Sequence, residues 1–176
     1  MKTLVMYHSE SGNTEKLANA ICEALDATDN EIAQIDEAKD FSAYDLVFIG
    51  FPVHSSSVPS KVEKCLKRIP EGKLLAIFGT HGSLRGGPLA ISAFHYAITL
   101  APKARVIGTF GCRGEVKASL IESLLKNPEY KFWALEAQSA AGHPDEADLA
   151  ERHGWHREPD RGGKPHAYFR QDIRQR

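Results

Sequence analysis

Residues 8 to 14 read His-Ser-Glu-Ser-Gly-Asn-Thr: Ser9, Ser11, Asn13 and Thr14 carry neutral side-chain oxygens around one glycine, Gly12. An apolar run, Lys2–Tyr7, precedes this segment, and a helical pattern follows from Asn13. The free N–H groups and the positive dipole end of a helix therefore point into the same turn. Donors of this kind make an anion site suited to phosphate. No lysine follows the glycine and there is no G-x-G-x-x-G, so neither the nucleoside-triphosphate loop nor the dinucleotide fingerprint is present. A helix cap with no ligand needs only one such residue, and here there are four. Two other groups have chemistry available. Cys112-Arg113-Gly114-Glu115 offers a thiol, which is expected to be partly buried and inert. His143, His153 and His156 are joined by no convincing carboxylate or cysteine spacing, so no metal is assigned to them.

The turn is positioned by alternating elements. Strands are predicted at Lys2–Tyr7, Glu31–Ile35, Asp45–Gly50, Leu74–Gly79 and Arg105–Gly111, and helices at Asn13–Leu25, Lys61–Ile69, Pro88–Leu100 and Lys117–Lys126. Continuous apolar runs such as Asp45–Gly50 indicate strands buried on both faces. Strand–helix alternation implies a parallel sheet wound on both faces with right-handed crossovers. About nine residues separate the second and third strands, too few for a full helix, so that crossover is expected to be one short turn. Tyr130, Phe132 and Trp133 are read as packing onto the sheet edge. Pro144 and the acids after it signal a further helix to about Trp155. One domain is expected over residues 1–157, with a flexible basic tail over 158–176.

The 176 residues, 42% hydrophobic and 26% charged, suit one globular domain. No apolar run approaches the roughly 20 residues of a membrane helix, and no export signal is evident. Three well-separated cysteines fit free thiols in a reducing compartment, so the cytoplasm is expected. A formal net charge of −1 gives no overall field for nucleic acid. The charge is uneven: residues 1–40 carry nine acidic and three basic groups, whereas residues 161–176 carry one acidic and five basic.

Ser9-Glu10-Ser11-Gly12-Asn13-Thr14, directly after an N-terminal strand, resembles the phosphate loop of flavodoxins, (S/T)-x-T-G-N-T, with Ser11 in place of the usual threonine. The segment from Tyr44 to Val53 is similar to that family's third strand and following loop, and Phe78–Ser83 is similar to the loop on the other flavin face. The resemblance covers residues 1 to about 125. It implies a five-stranded doubly wound sheet in the order 2-1-3-4-5 and FMN as cofactor. It implies phosphate contacts at Ser9, Glu10 (backbone), Ser11, Gly12, Asn13 and Thr14. It places the ring between Pro52, Val53, His54, Ser55 and Ser56 on one side and Gly79, Thr80, His81, Gly82 and Arg85 on the other. Phe51, His54 and His81 are the flat groups on offer, and His54 or His81 is expected to stack on the ring or donate a proton.

Two other families with this architecture are excluded by their residues. A response-regulator receiver needs acids where Tyr7-His8 and Ile49-Gly50 stand, and a low-molecular-weight phosphatase needs a cysteine in the first loop. Electron-carrier flavodoxins are strongly acidic and stack the flavin between tryptophan and tyrosine; this chain does neither. The function expected is transfer of electrons to a partner protein or small-molecule acceptor, or catalysis as a small flavin oxidoreductase. The alternative is an interaction domain that has lost the flavin. The second loop, Ser55-Ser56-Ser57-Val58-Pro59, contains no glycine, so the backbone turn that accompanies one-electron reduction is expected to be costly and two-electron passage favoured.

Overall fold

The computed structural model describes residues 1–25 and 29–150. Five strands, β1 (Thr3–Tyr7), β2 (Asn30–Gln34), β3 (Leu46–Pro52), β4 (Leu74–His81) and β5 (Arg105–Arg113), form one sheet in the order β2-β1-β3-β4-β5. Every neighbouring pair is parallel. The helices are α1 (Asn13–Ala24), α2 (Ser60–Leu66), α3 (Pro88–Leu100), α4 (Ala118–Leu125), α5 (Lys131–Gln138) and α6 (Glu146–Ala150). The expected doubly wound α/β architecture and strand order are present. The short crossover between β2 and β3 is a single 3-10 turn, Phe41–Ala43, capped by the Asp40 carboxylate.

Side chains of the central strands alternate between two cores, which is why those strands read as unbroken apolar runs. On one face Leu4, Met6, Val47, Ile49, Leu75 and Ile77 pack beneath α2 and α3. On the other, Val5, Tyr7, Phe48, Ala76, Phe78 and Phe110 pack beneath Leu17, Ala18 and Ile21 of α1. A third, small core joins Ile121 of α4 to Ala134 and Ala137 of α5, with Val116 and Trp133 against it.

Three strands run further than their apolar runs suggested: β3 by Phe51 and Pro52, β4 by Thr80 and His81, β5 by Cys112 and Arg113. Their parallel partners extend with them, since Phe51 pairs with Gly79, Pro52 with Thr80, and His81 with Arg113. Helix α5 occupies the segment read only as an aromatic cluster. Of the expected 144–155 helix, residues 146–150 are helical, Pro144 and Asp145 lie before its first turn, and residues 151–155 lie outside the described residues, as does the 158–176 tail.

Gly50 stands opposite Tyr7, where β1 and β3 deliver their loops to the carboxyl edge of the sheet. A Cβ there would fall 2.1 Å from the ring of Phe78, which is fully buried. Gly50→Ala is therefore expected to lower stability by about 1–3 kcal/mol through overpacking, read as a lower urea midpoint at unchanged slope.

Candidate functional site

The first loop leaves β1 at Tyr7, whose hydroxyl donates to Glu15 (2.8 Å), and the His8 N–H donates to the Gly50 carbonyl (2.9 Å). Ser9 Oγ then accepts the Gly12 N–H (3.1 Å). Gly12 adopts φ 88°, which glycine alone tolerates readily, and it caps α1 without any side-chain cap. Nothing lies within 4 Å of where its Cβ would be. The Asn13, Thr14 and Glu15 N–H groups, at the start of the helix, precede the first intrahelical bond, Lys16 N–H to the Gly12 carbonyl (2.9 Å). The turn thus presents uncapped donors to open space.

The side chains of Asn13 and Thr14 point inward. Asn13 Nδ2 donates to the Glu115 carbonyl (2.8 Å), and the Thr14 hydroxyl meets that of Thr80 (2.9 Å) in a buried pair. These two residues offer a ligand their backbone N–H groups, whereas Ser11 is exposed and keeps its hydroxyl available.

The second loop is tied to β4 by Val53 N–H to the Thr80 carbonyl (2.9 Å). His54 and Ser57 exchange backbone bonds (3.2 and 2.8 Å) around a two-residue turn, with Ser55 at φ 47° and Ser56 at φ 63°. Such a turn favours Asn-Gly, and left-handed backbone at two serines costs about 1 kcal/mol or more each. In a glycine-free loop the backbone turn of one-electron reduction, which commonly needs positive φ, is expected to be costly. Positive φ is already present here, so the predicted cost of turning rests on a different starting geometry. His54 is exposed, and its Nε2 lies 3.7 Å from Glu10 Oε2.

The third loop departs furthest from expectation. His81 ends β4 and is 5% exposed; its Nδ1–H donates to the Ser83 carbonyl (3.0 Å) and its Nε2 lies beside Gly111 of β5. Its imidazole packs inside the fold, which removes it as an exposed flat group. Phe51 is likewise fully buried, its ring 5.8 Å from that of Phe94. Of the three flat groups, His54 is the one that faces solvent.

The glycines of this loop also answer to protein neighbours. A Cβ on Gly79 would lie 2.8 Å from the Phe51 carbonyl, and one on Gly82 would lie 2.4 Å from Val116. Arg85 is exposed at the loop tip. Behind the loop, Leu84 N–H donates to the Glu136 carboxylate, and Arg113 donates to the Glu136 and Ser139 carbonyls (3.1 and 2.8 Å). Trp133 thus backs the third loop at Gly82. Glu136, Arg113 and Glu115 are supports that no local sequence pattern marks, because each works across more than 20 residues of chain.

Cys112 is buried. The ligating atoms of His143, Asp145 and Asp148 lie within 4.8 Å of one another. Asp145 and Asp148 cap α6 reciprocally through each other's N–H groups (3.0 and 2.9 Å), which accounts for the cluster as a helix start.

Burial pushes the His81 imidazole below its ordinary value, its bond to Ser83 opposes this, and nearby Arg113 and Arg85 push it lower. A histidine depressed in the folded state contributes stability that is present above its unfolded value of about 6.5 and is lost as pH falls below it. Comparing urea midpoints at pH 7.5 and 5.5, the wild type is expected to lose more stability on acidification than His81→Gln.

A family model, "Flavodoxin domain", matches residues 4–155. The flavodoxin-like domain-containing protein BilS of Clostridioides difficile is 30% identical over 164 residues, covering 86% of this chain and 92% of BilS. Among solved structures, a flavodoxin from the domain Archaea superposes with TM-score 0.56 at 19% identity, covering 88% of this chain and 92% of that one. A Lactobacillus acidophilus flavoprotein solved in complex with FMN gives TM-score 0.52 at 23% identity, covering 62% and 92%. With this sheet order, this first loop and a family match over most of its length, the chain belongs to the flavodoxin family.

Proposed function

We infer that the chain is an FMN-binding redox protein whose ligand sits at the carboxyl edge of the sheet. The observation that carries this reading is the first loop: α1 begins at a left-handed glycine with no side-chain cap, beneath open space, with Ser11 exposed beside it. The residues fit a phosphate. Backbone N–H groups of Glu10, Ser11, Asn13 and Thr14 and the Ser11 hydroxyl would hold it, while Ser9 fixes the turn through the Gly12 N–H. The ring would lie between Pro52–Ser56 and the loop from Thr80 to Arg85.

Bound FMN supplies reversible electron transfer, and the chain supplies position and polarity. Thr80 joins two walls of the site through Thr14 and Val53. Gly79 and Gly82 have no room for a Cβ beside the Phe51 carbonyl and Val116, so they set the course of the third loop, whose backbone would face the ring. His54, exposed beside the second loop, is the imidazole placed to stack or to hold a proton. Neutral His81 keeps the base of the third loop packed.

Electrons would pass to a partner protein or a small-molecule acceptor. With a net charge of −1, any such exchange has little long-range steering. All three cysteines are free, which fits a cytoplasmic setting. Among the described residues, no helix is long and apolar enough to cross a membrane.

Phosphate recognition is separable from ring recognition by titrating the full chain with FMN and with riboflavin. Several charge-assisted hydrogen bonds of about 1.5–3 kcal/mol each imply FMN binding at least about a hundredfold tighter than riboflavin. Ser11→Ala is expected to weaken FMN and leave riboflavin nearly unchanged. Equal affinities for the two flavins would place the phosphate elsewhere, and failure of both to bind would favour the interaction-domain alternative.

A further inference from the structure

The carboxylate of Glu10 stands between two imidazoles. Its Oε1 lies 3.5 Å from His8 Nε2, and its Oε2 lies 3.7 Å from His54 Nε2. The histidines come from different elements, each with a tethered backbone. His8 is bonded to β3 through the Gly50 carbonyl, and His54 to Ser57 across the strained serine turn. The Glu10–His54 contact therefore spans the first and second loops. Side-chain exposures of 18% for His8, 47% for His54 and 55% for Glu10 leave the group open to solvent protons.

Residues 8–14 contain no lysine or arginine. A phosphate dianion on this loop would meet Glu10, a third negative charge, on the same few residues. Neighbouring charged groups are engaged elsewhere. Glu15 of α1 accepts the Tyr7 hydroxyl, Asp36 after β2 pairs with Lys61 of α2 (2.7 Å), and Glu37 pairs with Lys39 (3.3 Å). Glu115 after β5 accepts the Gly142 N–H (3.2 Å), and Arg113 is held by carbonyls at the end of α5. Arg85 belongs to the third loop, near His81. Among the described residues, the ion-pair partners of Glu10 are both imidazoles, the one side chain that ordinarily gains its charge near neutrality.

We propose that His8 and His54 are the counter-charges of Glu10, and that this triad takes up protons when a phosphate dianion binds the first loop. The inference rests on the FMN reading above. With both imidazoles neutral the triad carries −1 and opposes the dianion; with both protonated it carries +1 and favours it. Because the bound state prefers the protonated imidazoles, FMN affinity rises as pH falls. The phosphate's own second proton, near pH 6, acts in the opposite direction and sets the lower limit of the useful window.

The test is titration of the full chain with FMN and with riboflavin at pH 6.5, 7.5 and 8.5. The FMN dissociation constant is expected to be about three- to tenfold weaker at pH 8.5 than at pH 6.5, and that of riboflavin flat. Glu10→Gln removes the opposing charge and should tighten FMN at pH 8.5 to about the wild-type value at pH 6.5. The His8→Gln/His54→Gln double variant should be flat and weak throughout. A purely structural role for these side chains would not move the two variants in opposite directions. Tight FMN binding with a flat wild-type profile, or Glu10→Gln weakening FMN at pH 8.5, overturns the proposal and leaves the FMN reading standing. Failure of FMN to bind at any pH overturns both.

Discussion

The site depends on one buried pair of hydroxyls. Thr14, at the start of α1, and Thr80, near the end of β4, meet at 2.9 Å between the helix and the sheet. The same Thr80 accepts the Val53 N–H through its carbonyl, and its Cβ stands 3.1 Å from where Gly114 would carry one. The first loop, the second loop and the segment after β5 therefore all take their position from this residue. Buried hydroxyls must find partners or carry a desolvation cost, so the pairing fixes where the helix N-terminus sits above the sheet. Parallel strands supply the rest, by ending in register at one edge where uncapped donors can converge.

That dependence explains which features were legible in the sequence. The central strands announced themselves because two helical layers bury both faces, and the phosphate turn because Ser9 to Thr14 is local and chemically distinctive. The strand ends were not legible. Thr80, His81, Cys112 and Arg113 look like loop residues, and they are strand because a neighbouring parallel strand continues beside them. Helix α5 was missed for a similar reason: its core is made with Ile121, Val116 and the third loop at Gly82, all distant in sequence. Of the segment's aromatic residues, Trp133 backs the third loop at Gly82 whereas Tyr130 and Phe132 are exposed, so the cluster does not pack onto the sheet edge as a unit.

Individual site residues were legible by type and misjudged by direction. Phe51 and His81 fall in segments similar to flavin-facing loops, yet strand alternation turns both inward against α3. Gly79 and Gly82 stand in the segment assigned to one side of the ring, and the atoms that would crowd a Cβ on them belong to Phe51 and Val116, a constraint set by the protein framework. Asn13 and Thr14 spend their side chains on the framework, which leaves phosphate recognition chiefly to backbone N–H groups and to Ser11. Recognition by backbone tolerates side-chain change, and it accommodates an acidic Glu10 so long as imidazoles stand beside it.

Everything proposed for this site turns on a phosphate dianion seated at the N-terminus of α1. The most direct measurement is phosphorus NMR of FMN titrated into the full chain, followed from pH 8 to pH 5.5. Free FMN gains its second phosphate proton near pH 6, and its resonance shifts accordingly. Donors aimed at a dianion resist that proton. A separate bound resonance whose position stays constant across the range is expected. A bound resonance that titrates like free FMN, or no bound resonance at all, would contradict a dianion seated there.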